Sequence, residues 1–461
     1  MQRDADHLPF VSSGSYPIRG GNAVRPLVDG GPAFQRIGEA VAAAKRSVWV
    51  TVAFHEMAFR MPGGHGSLFD VLDRAAARGL DVRVIFWRHP LLAQYEPDSH
   101  FAGTEADLAF LRARGSKFLA RWDRAQGRYC QHQKSWLVDA GQPGETAFVG
   151  GINLNNGSVV EPGHSPRADG RNTHDVYVEV RGPSATDVHH NFAQRWNEAS
   201  DRDLADGLWP DARSHSLLEF PTKVSPAAGD VPVQIQRTVR RGRYSDGTPV
   251  PDGPRFAIGD GEHSILDQYL RAIEGARRAI YIEDQAIGAP QVVDALRGAL
   301  ERKVDVVVLV PANPNDEMSA GRKDPKNKAF FDSLGALGDF EHFALAGIAA
   351  NTGRGEYQNV YVHAKIMLVD DAWCTIGSAN IGNRSFFGDT ELNASFWHAP
   401  TVRALRGDLL LEHLGKDTRD LDERAALRLY REVARKNAAR RAAGESLEGL
   451  AFALDPATYA S

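Results

Sequence analysis

The sequence predicts an α/β protein built from two homologous halves, and three observations carry that expectation. The segment HQKSWLVDA at 132–140 returns as HAKIMLVDD at 363–371, 231 positions later. KRSVWVTVAF at 45–54 is answered by RRAIYIEDQA at 277–286, and ARGLDVRVIF at 77–86 by ERKVDVVVLV at 301–310, at offsets of 232 and 224. Three matches in one order at nearly constant offset mark a duplicated unit. The chain of 461 residues is also long enough for two domains, since single cores stop growing at roughly 250–300 residues.

In chain order, the alanine-rich stretch AFQRIGEAVAAAKRS (33–47) has helical periodicity and runs directly into the β-branched run VWVTV. SLFDVLDRAAARG (67–79) is a second helix that feeds the strand LDVRVIFW. The second half repeats the move, with ILDQYLRAIEGARRA (265–279) before AIYIEDQ and PQVVDALRGALERK (290–303) before VDVVVLVPA. Nearly continuous apolar strands between helices imply a sheet covered on both faces. The boundary is expected within WPDARSHSLLEFPTKVSPAAGD (209–230), where proline, serine and charge break the pattern, giving units 1–215 and 216–461. RTVRRGRYSDGTPVPDGPRF (237–256) is expected as a long loop. The last helix, LDERAALRLYREVARKNAARR (421–441), carries Arg424, Arg428, Arg431 and Arg435 on one face. A solvated charged face is the first reading of it, and contact with anionic lipid the second.

Composition limits the partners. Apolar and charged fractions of 43% and 25% are those of an ordinary globular protein. A net charge of −5 argues against bulk attraction to nucleic acid, so none is expected as a partner. The opening residues show no basic segment followed by an apolar core, and no apolar run is long enough to span a bilayer. The expectation is a chain without a signal peptide or transmembrane segment, cytoplasmic or peripherally associated with a membrane. Cys130 and Cys374 suit neither a disulfide framework nor a metal site and are expected as buried thiols.

Side chains alternate faces along a strand, so His132 and Lys134 point together, as do His363 and Lys365. Asp139 and Asp370 follow their histidines by seven positions, an odd offset that favours a structural role. Each motif leads to a glycine turn carrying an asparagine, Asn153 in AFVGGINLNNGS and Asn380 in CTIGSANIGNRS, whose amides are candidates for binding substrate oxygens. Two histidines with two lysines and no local carboxylate cluster suit metal-free phosphodiester chemistry, with no cofactor. Lysines stabilise charge on phosphate, one imidazole attacks phosphorus, and the other protonates the leaving alcohol. Lysine beside each histidine disfavours a metal held by that pair. The two imidazoles must differ in protonation, which calls for carboxylate neighbours. Asp175 in NTHDVYVEV and Glu391 in GDTELNASF are the candidates, and which serves which histidine stays open.

Both segments fit HxKx4D, and on them the chain resembles the phospholipase D superfamily. YCQHQKSWLVDA, THDVYVEVRGPSATDVHHNFAQRWN, RRAIYIEDQ, VHAKIMLVDDAWCTIGSANIGNRS and LLLEHLG bring it nearest the plant-type catalytic cores, over residues 35 to 415. The resemblance implies two α-β-α sandwich lobes related by a pseudo-twofold axis, with one active site at their interface. It implies a catalytic set of His132, Lys134, Asp139, His363, Lys365 and Asp370, with His132 as nucleophile and His363 as acid. The reaction it implies is hydrolysis or alcohol exchange of glycerophospholipids at a membrane surface through a phosphohistidine. A nuclease or a cardiolipin synthase-like phosphatidyltransferase would use the same site. Two fused halves supply both motifs, so a monomer is expected. Asp284 stands where the plant-type pattern usually has asparagine, and His55 has two readings, structural or pocket-lining. Lipid-docking domains like those of plant and animal enzymes are not expected in this sequence.

Overall fold

The helix-then-strand alternation of the first half builds a parallel core that antiparallel strands extend. The computed structural model describes residues 10–89, 100–125, 129–200, 208–209, 217–353 and 355–461. The first half comprises β1 (Arg19–Val28), α1 (Gly30–Ala43), β2 (Ser47–Val52), α2 (Leu68–Ala77), β3 (Asp81–Arg88), α3 (Glu105–Arg114), β4 (Leu119–Arg124), β5 (Ser135–Val138), β6 (Thr146–Gly150), β7 (Thr173–His174), β8 (Val176–Arg181), α4 (Ala185–Asn197) and β9 (Leu208–Trp209). Strands β2, β3 and β4 run parallel, and β5, β6, β8 and β1 continue the sheet antiparallel from β2. Helices α2 and α3 each start in a capping box, Ser67 with Asp70 and Thr104 with Asp107, which satisfies first-turn amides.

The second half comprises β10 (Val231–Val239), β11 (Glu262–His263), α5 (Ser264–Gly275), β12 (Ala279–Asp284), β13 (Ile287–Gly288), α6 (Pro290–Glu301), β14 (Asp305–Leu309), α7 (Asp316–Lys323), α8 (Lys328–Gly335), β15 (Phe343–Gly353), β16 (Glu356–Val362), β17 (Lys365–Val369), β18 (Trp373–Gly377), β19 (Ile381–Gly382), α9 (Asn383–Phe387), β20 (Glu391–Trp397), α10 (Ala399–Leu414), α11 (Glu423–Ala442) and β21 (Ala451–Leu454). Its order repeats the first: β12, β14 and β15 are parallel, and β17, β18, β20 and β10 follow antiparallel. The equivalent strands β1 and β10 pair with each other antiparallel, Arg19 opposite Val233 and Asn22 opposite Val231. Antiparallel pairing of two equivalent edges is what a twofold relation between the halves requires.

Alternation along the strands then sorts the core into layers. Ile366 and Leu368 face a central core shared with Val176, Val178 and Val180 of the first half, while Met367 and Val369 face an outer core under α5 and α6. Leu137 and Trp136 divide in the same way between the shared core and the outer core of the first half. The mixed α/β fold agrees with the sequence reading. The expected division at 215/216 lies outside the described residues. Within the expected loop 237–256, residues 237–239 belong instead to β10, where Arg237 lies opposite Leu392.

The arginine face of α11 is also corrected. Arg424, Arg428 and Arg431 converge on the buried Asp305 carboxylate, at 2.8, 4.0 and 2.7 Å. Arg431 is nearly buried, while Arg424 and Arg428 reach Asp305 from the surface with 34% and 59% of their side chains exposed, so the face is partly solvated and anchored on one carboxylate. Cys130 and Cys374 are buried free thiols.

Candidate active site

Each histidine follows backbone that pairs with the opposite half, a strand before His363 and a single bridge at Gln131 before His132. Strand β16 runs parallel to β7, pairing Val362 with His174, and the next residue, His363, donates its amide to the His174 carbonyl at 2.8 Å. The mirror arrangement pairs Gln131 with Thr390, and the His132 amide donates to the Thr390 carbonyl at 3.0 Å. The residue after each of these carbonyls is a carboxylate. His132 Nδ1 therefore meets both oxygens of Glu391 at 3.0 Å, and His363 Nδ1 meets Asp175 Oδ2 at 2.6 Å. Each half lends the other the carboxylate that orients its histidine, which resolves the pairing left open by the sequence. Asp175 and Glu391 thus hold histidines, and neither is among the residues that line the cleft shared by the two rings.

The lysines fold back on their own motifs. Lys134 Nζ donates to the His132 carbonyl at 2.8 Å, and Lys365 Nζ donates to the His363 carbonyl and lies 3.4 Å from Gln285 Oε1. Burial pushes Lys134 down to about 8, against the pull of Glu391, and lowers Lys365, against the pull of Asp175. Burial, then the lysines, push both imidazoles well below their ordinary value. Burial holds Glu391 and Asp175 up at about 7, opposed chiefly by Lys134 and Lys365 respectively. With Nδ1 of each ring engaged by its carboxylate, Nε2 is the nitrogen presented to the cleft.

His132, His363, Asn153 and Asn380 line one cleft of about 700 Å³. Asn153 Nδ2 lies 3.5 Å from His363 Nε2. The side-chain oxygens of Asn153 and Asn380 are buried without a partner among the described residues, which leaves these amides for a ligand. Phe54, Trp87, Met318, Phe330, Phe331 and Tyr361 add an apolar wall. The short parallel pair β13–β19 sets Ile381, next to Asn380, against Ile287, and Asp284 holds the Ile381 amide at 3.0 Å. Gly151 is required at its turn, because a Cβ there would lie 2.4 Å from Asp175 Oδ1.

Asp139 and Asp370 stand elsewhere, and their inclusion in a catalytic set is corrected. Asp139 Oδ1 accepts the amides of Lys45, Arg46 and Ser47, and the Asp370 carboxylate those of Arg277, Arg278 and Ala279. Each lies just past the end of its strand remote from the lysine and secures the turn that enters β2 or β12. His55 does not line the cleft; its ring packs edge-on against Phe69 and Phe59, and neither ring nitrogen has a hydrogen-bond partner among the described residues, so it is a buried histidine but not a satisfied one. Ser378 and Ser385, which sequence reasoning missed, donate to Glu391 at 2.6 Å each. Their signal was available in IGSANIGNRS, where hydroxyls flank the glycine turn.

Comparisons with known proteins agree with this geometry. A phospholipase D family model matches residues 165–297, and one for the cardiolipin synthase, PLD-like domain matches 269–409. Phospholipase D alpha 2 of Oryza sativa subsp. japonica is 23% identical over 90% of this chain and 67% of its own length. Cardiolipin synthase A of Pseudomonas putida (strain W619) is 28% identical over 81% of this chain, which spans 64% of that relative. The fold resembles that of phosphatidylserine synthase from Haemophilus influenzae Rd KW20, with a TM-score of 0.55, 12% identity, and coverage of 96% of this chain and 97% of the other. Among the described residues no helix is long and apolar enough to cross a membrane. Two intact HxK stations on duplicated sheets, together with these matches, place the chain in the phospholipase D superfamily.

Proposed function

We propose that this chain is a phospholipase D: it cleaves glycerophospholipids to phosphatidic acid and a free head group, and passes the phosphatidyl group to alcohols as a side reaction. The observation that carries the reading is the pairing of two carboxylate-oriented histidines on one cleft with an apolar wall. In this reading His132 Nε2 attacks phosphorus, a nitrogen–phosphorus bond forms, and the bond to the head-group oxygen breaks as His363 gives that oxygen its proton. His363 then takes a proton from water or an alcohol, whose oxygen displaces His132 and restores the free ring. Lys134 and Lys365 offset charge on the non-bridging oxygens, and Asn153 and Asn380 position them.

The two stations differ in a way that supports these roles. Glu391 shares its charge among His132, Ser378 and Ser385, so its pull on His132 is divided and that ring stays neutral and nucleophilic. Asp175 Oδ2 meets His363 alone, at 2.6 Å, while Oδ1 accepts the Val176 amide. Burial and the lysines lower both rings, and against that shared effect the short, undivided contact makes His363 the more readily protonated of the two, as a general acid needs. The two motifs meet in one chain, so the site is complete in a monomer, and we place the boundary between the halves after residue 215. Phe387, 41% exposed at the end of α9 beside the cleft residues Asn383, Arg384 and Ser385, suits peripheral contact with a lipid surface.

The 28% identity with cardiolipin synthase A favours a second reading, in which transfer to an alcohol is the main reaction. The apolar wall and the net charge of −5 weigh against a nuclease. Mass spectrometry of mixed phosphatidylcholine and phosphatidylethanolamine vesicles incubated with the protein and a few per cent ethanol tests the proposal. Phosphatidic acid with some phosphatidylethanol is the expected result. Phosphatidylethanol in large excess, with little hydrolysis, would favour the second reading, and neither product would overturn both.

A further inference from the structure

Behind the His363 station lies a second cluster that the reaction above does not use. Asp29 follows β1, His164 lies in the loop before β7, His174 ends β7, and Glu412 comes from α10 of the other half. His164 Nε2 lies 3.2 Å from His174 Nδ1, 3.4 Å from Asp29 Oδ2 and 3.0 Å from Glu412 Oε1. His174 Nδ1 lies 2.9 Å from Asp29 Oδ1 and 3.8 Å from Glu412 Oε1. All four side chains are buried, Glu412 the most open at 4% exposed. Zinc bonds of ~2.0–2.1 Å in a tetrahedron set donor atoms ~3.3 Å apart, and the spacings here straddle that value.

Hydrogen bonding on the outer side of each ring sets the tautomer that its neutral form, the form a metal needs, adopts. Asn172 donates its amide to the carbonyls of His164 and Ser165, so its oxygen is the atom 2.6 Å from His164 Nδ1, and that nitrogen carries the hydrogen. His174 Nε2 lies 2.9 Å from Glu283 Oε2, and a hydrogen there completes the same pattern. With their hydrogens outward, neutral rings turn two lone pairs toward each other and toward two carboxylates. Asp29 Oδ2 and Glu412 Oε1 are buried and accept no hydrogen bond among the described residues, despite lying within 3.4 Å of a ring nitrogen. Outer carboxylate and amide oxygens on inward-facing histidines are also the partners that metal-binding imidazoles use.

We propose that Asp29, His164, His174 and Glu412 bind one divalent transition metal, zinc by its donor set, as a structural site. Two neutral imidazoles and two carboxylates neutralise a dication, which makes the site compatible with complete burial. Three ligands come from the first half and one from the second, so the ion ties the halves together. It also fixes β7, whose last residue supplies the carbonyl for the His363 amide and precedes Asp175. The pseudo-equivalent of His174 is Thr390, so the His132 station has no counterpart of this site.

The test is metal content of the full-length protein purified without chelator, read by plasma mass spectrometry, with zinc-edge absorption to read the ligands. The expected result is about one zinc per chain, bound to two imidazoles and two oxygens at ~2.0–2.1 Å. His164→Ala and Glu412→Gln, which remove ligands, should each lose most of it after mild chelation, at a cost in affinity above the ~10–100-fold that loss of an outer partner brings, while His132→Ala keeps it. Should these variants fail to fold, the wild type alone decides: extraction of zinc by a strong chelator should lower the melting temperature, and added zinc should restore it. Zinc absent both as purified and after reconstitution, or retained when His164 and Glu412 are both replaced, would overturn the site. These readouts do not depend on the substrate.

Discussion

The two histidine stations share a backbone plan and differ in what stands behind the carboxylate. Both rings follow backbone that pairs with the other half, both amides bind the carbonyl preceding the partner carboxylate, and both lysines bind their own histidine carbonyl. At the His132 station, Ser378 fills the position after the strand and gives its hydroxyl to Glu391. The equivalent position in the first half is Gly151, which leaves Asp175 Oδ1 without such a donor. Duplication has kept the long-range backbone geometry, on which the meeting of the rings depends, and has changed the neighbours that set charge. In the proposed reaction this symmetric frame gives its two rings opposite tasks.

The largest effect that tests this division comes from the histidines themselves. His132→Ala should lower kcat/KM by ~10⁴-fold or more on every phosphatidyl ester, because no nucleophile remains. His363→Ala should cost ~10²–10⁴-fold on phosphatidylcholine, the range for a lost general acid, yet recover much of that on phosphatidyl-p-nitrophenol, whose leaving group needs no proton. Intact-protein mass spectrometry after an acid-free quench should then show a phosphatidyl adduct in His363→Ala and none in His132→Ala. An adduct in the His132 variant alone would reverse the assignment.

A medium effect comes from the serines. Replacing Ser378 by Gly and Ser385 by Ala makes the first station resemble the second. Burial already holds Glu391 up at about 7, and the two hydroxyls oppose that rise. Without them the Glu391–His132 pair binds a proton more tightly. The nucleophile is active only with that proton absent, so the acid limb of the kcat/KM profile must move to higher pH. A hydrogen bond to a charged group contributes ~1.5–3 kcal/mol and one pH unit corresponds to ~1.4 kcal/mol, so the expected shift is roughly one to two units upward for each hydroxyl removed. A profile that stays in place or moves down would show that the hydroxyls do not divide the charge.

The duplicated frame was legible in the sequence because it is carried by local patterns. Helix and strand periods around 33–47 and 265–279 sit beside motifs at constant offset, and the seven-residue spacing set Asp139 and Asp370 apart from the lysines. The carboxylate exchange was not legible, since Glu391 lies 259 positions from His132 and Asp175 lies 188 from His363. No local spacing encodes which distant strands will pair. The buried His164 cluster draws donors from four separate segments, and its nearest trace was a histidine beside Asp175 in NTHDVYVEV. The arginine face of α11 was read correctly as a face, but periodicity does not say what lies beneath it.

Beneath it lies Asp305, and its equivalent in the first half, Asp81, provides the smallest of the paired tests. Asp81 is 38% exposed, pairs with Arg83 at 2.9 Å and accepts the Trp49 indole N–H at 3.0 Å. Asp305 is 1% exposed and meets Arg424 and the nearly buried Arg431 at 2.8 and 2.7 Å. An exposed pair in high dielectric contributes ~0–1 kcal/mol, whereas removing one partner of a buried pair costs ~3–5 kcal/mol because the other charge is left without compensation. Arg424 keeps access to water and can turn outward, so the lower end of that range is expected. Asp305→Asn should therefore lower the unfolding free energy by ~3 kcal/mol and Asp81→Asn by under about 1 kcal/mol, read from denaturant midpoints at constant slope. Equal costs would mean that α11 is held by its apolar face, Leu427, Tyr430 and Val433, rather than by its arginines.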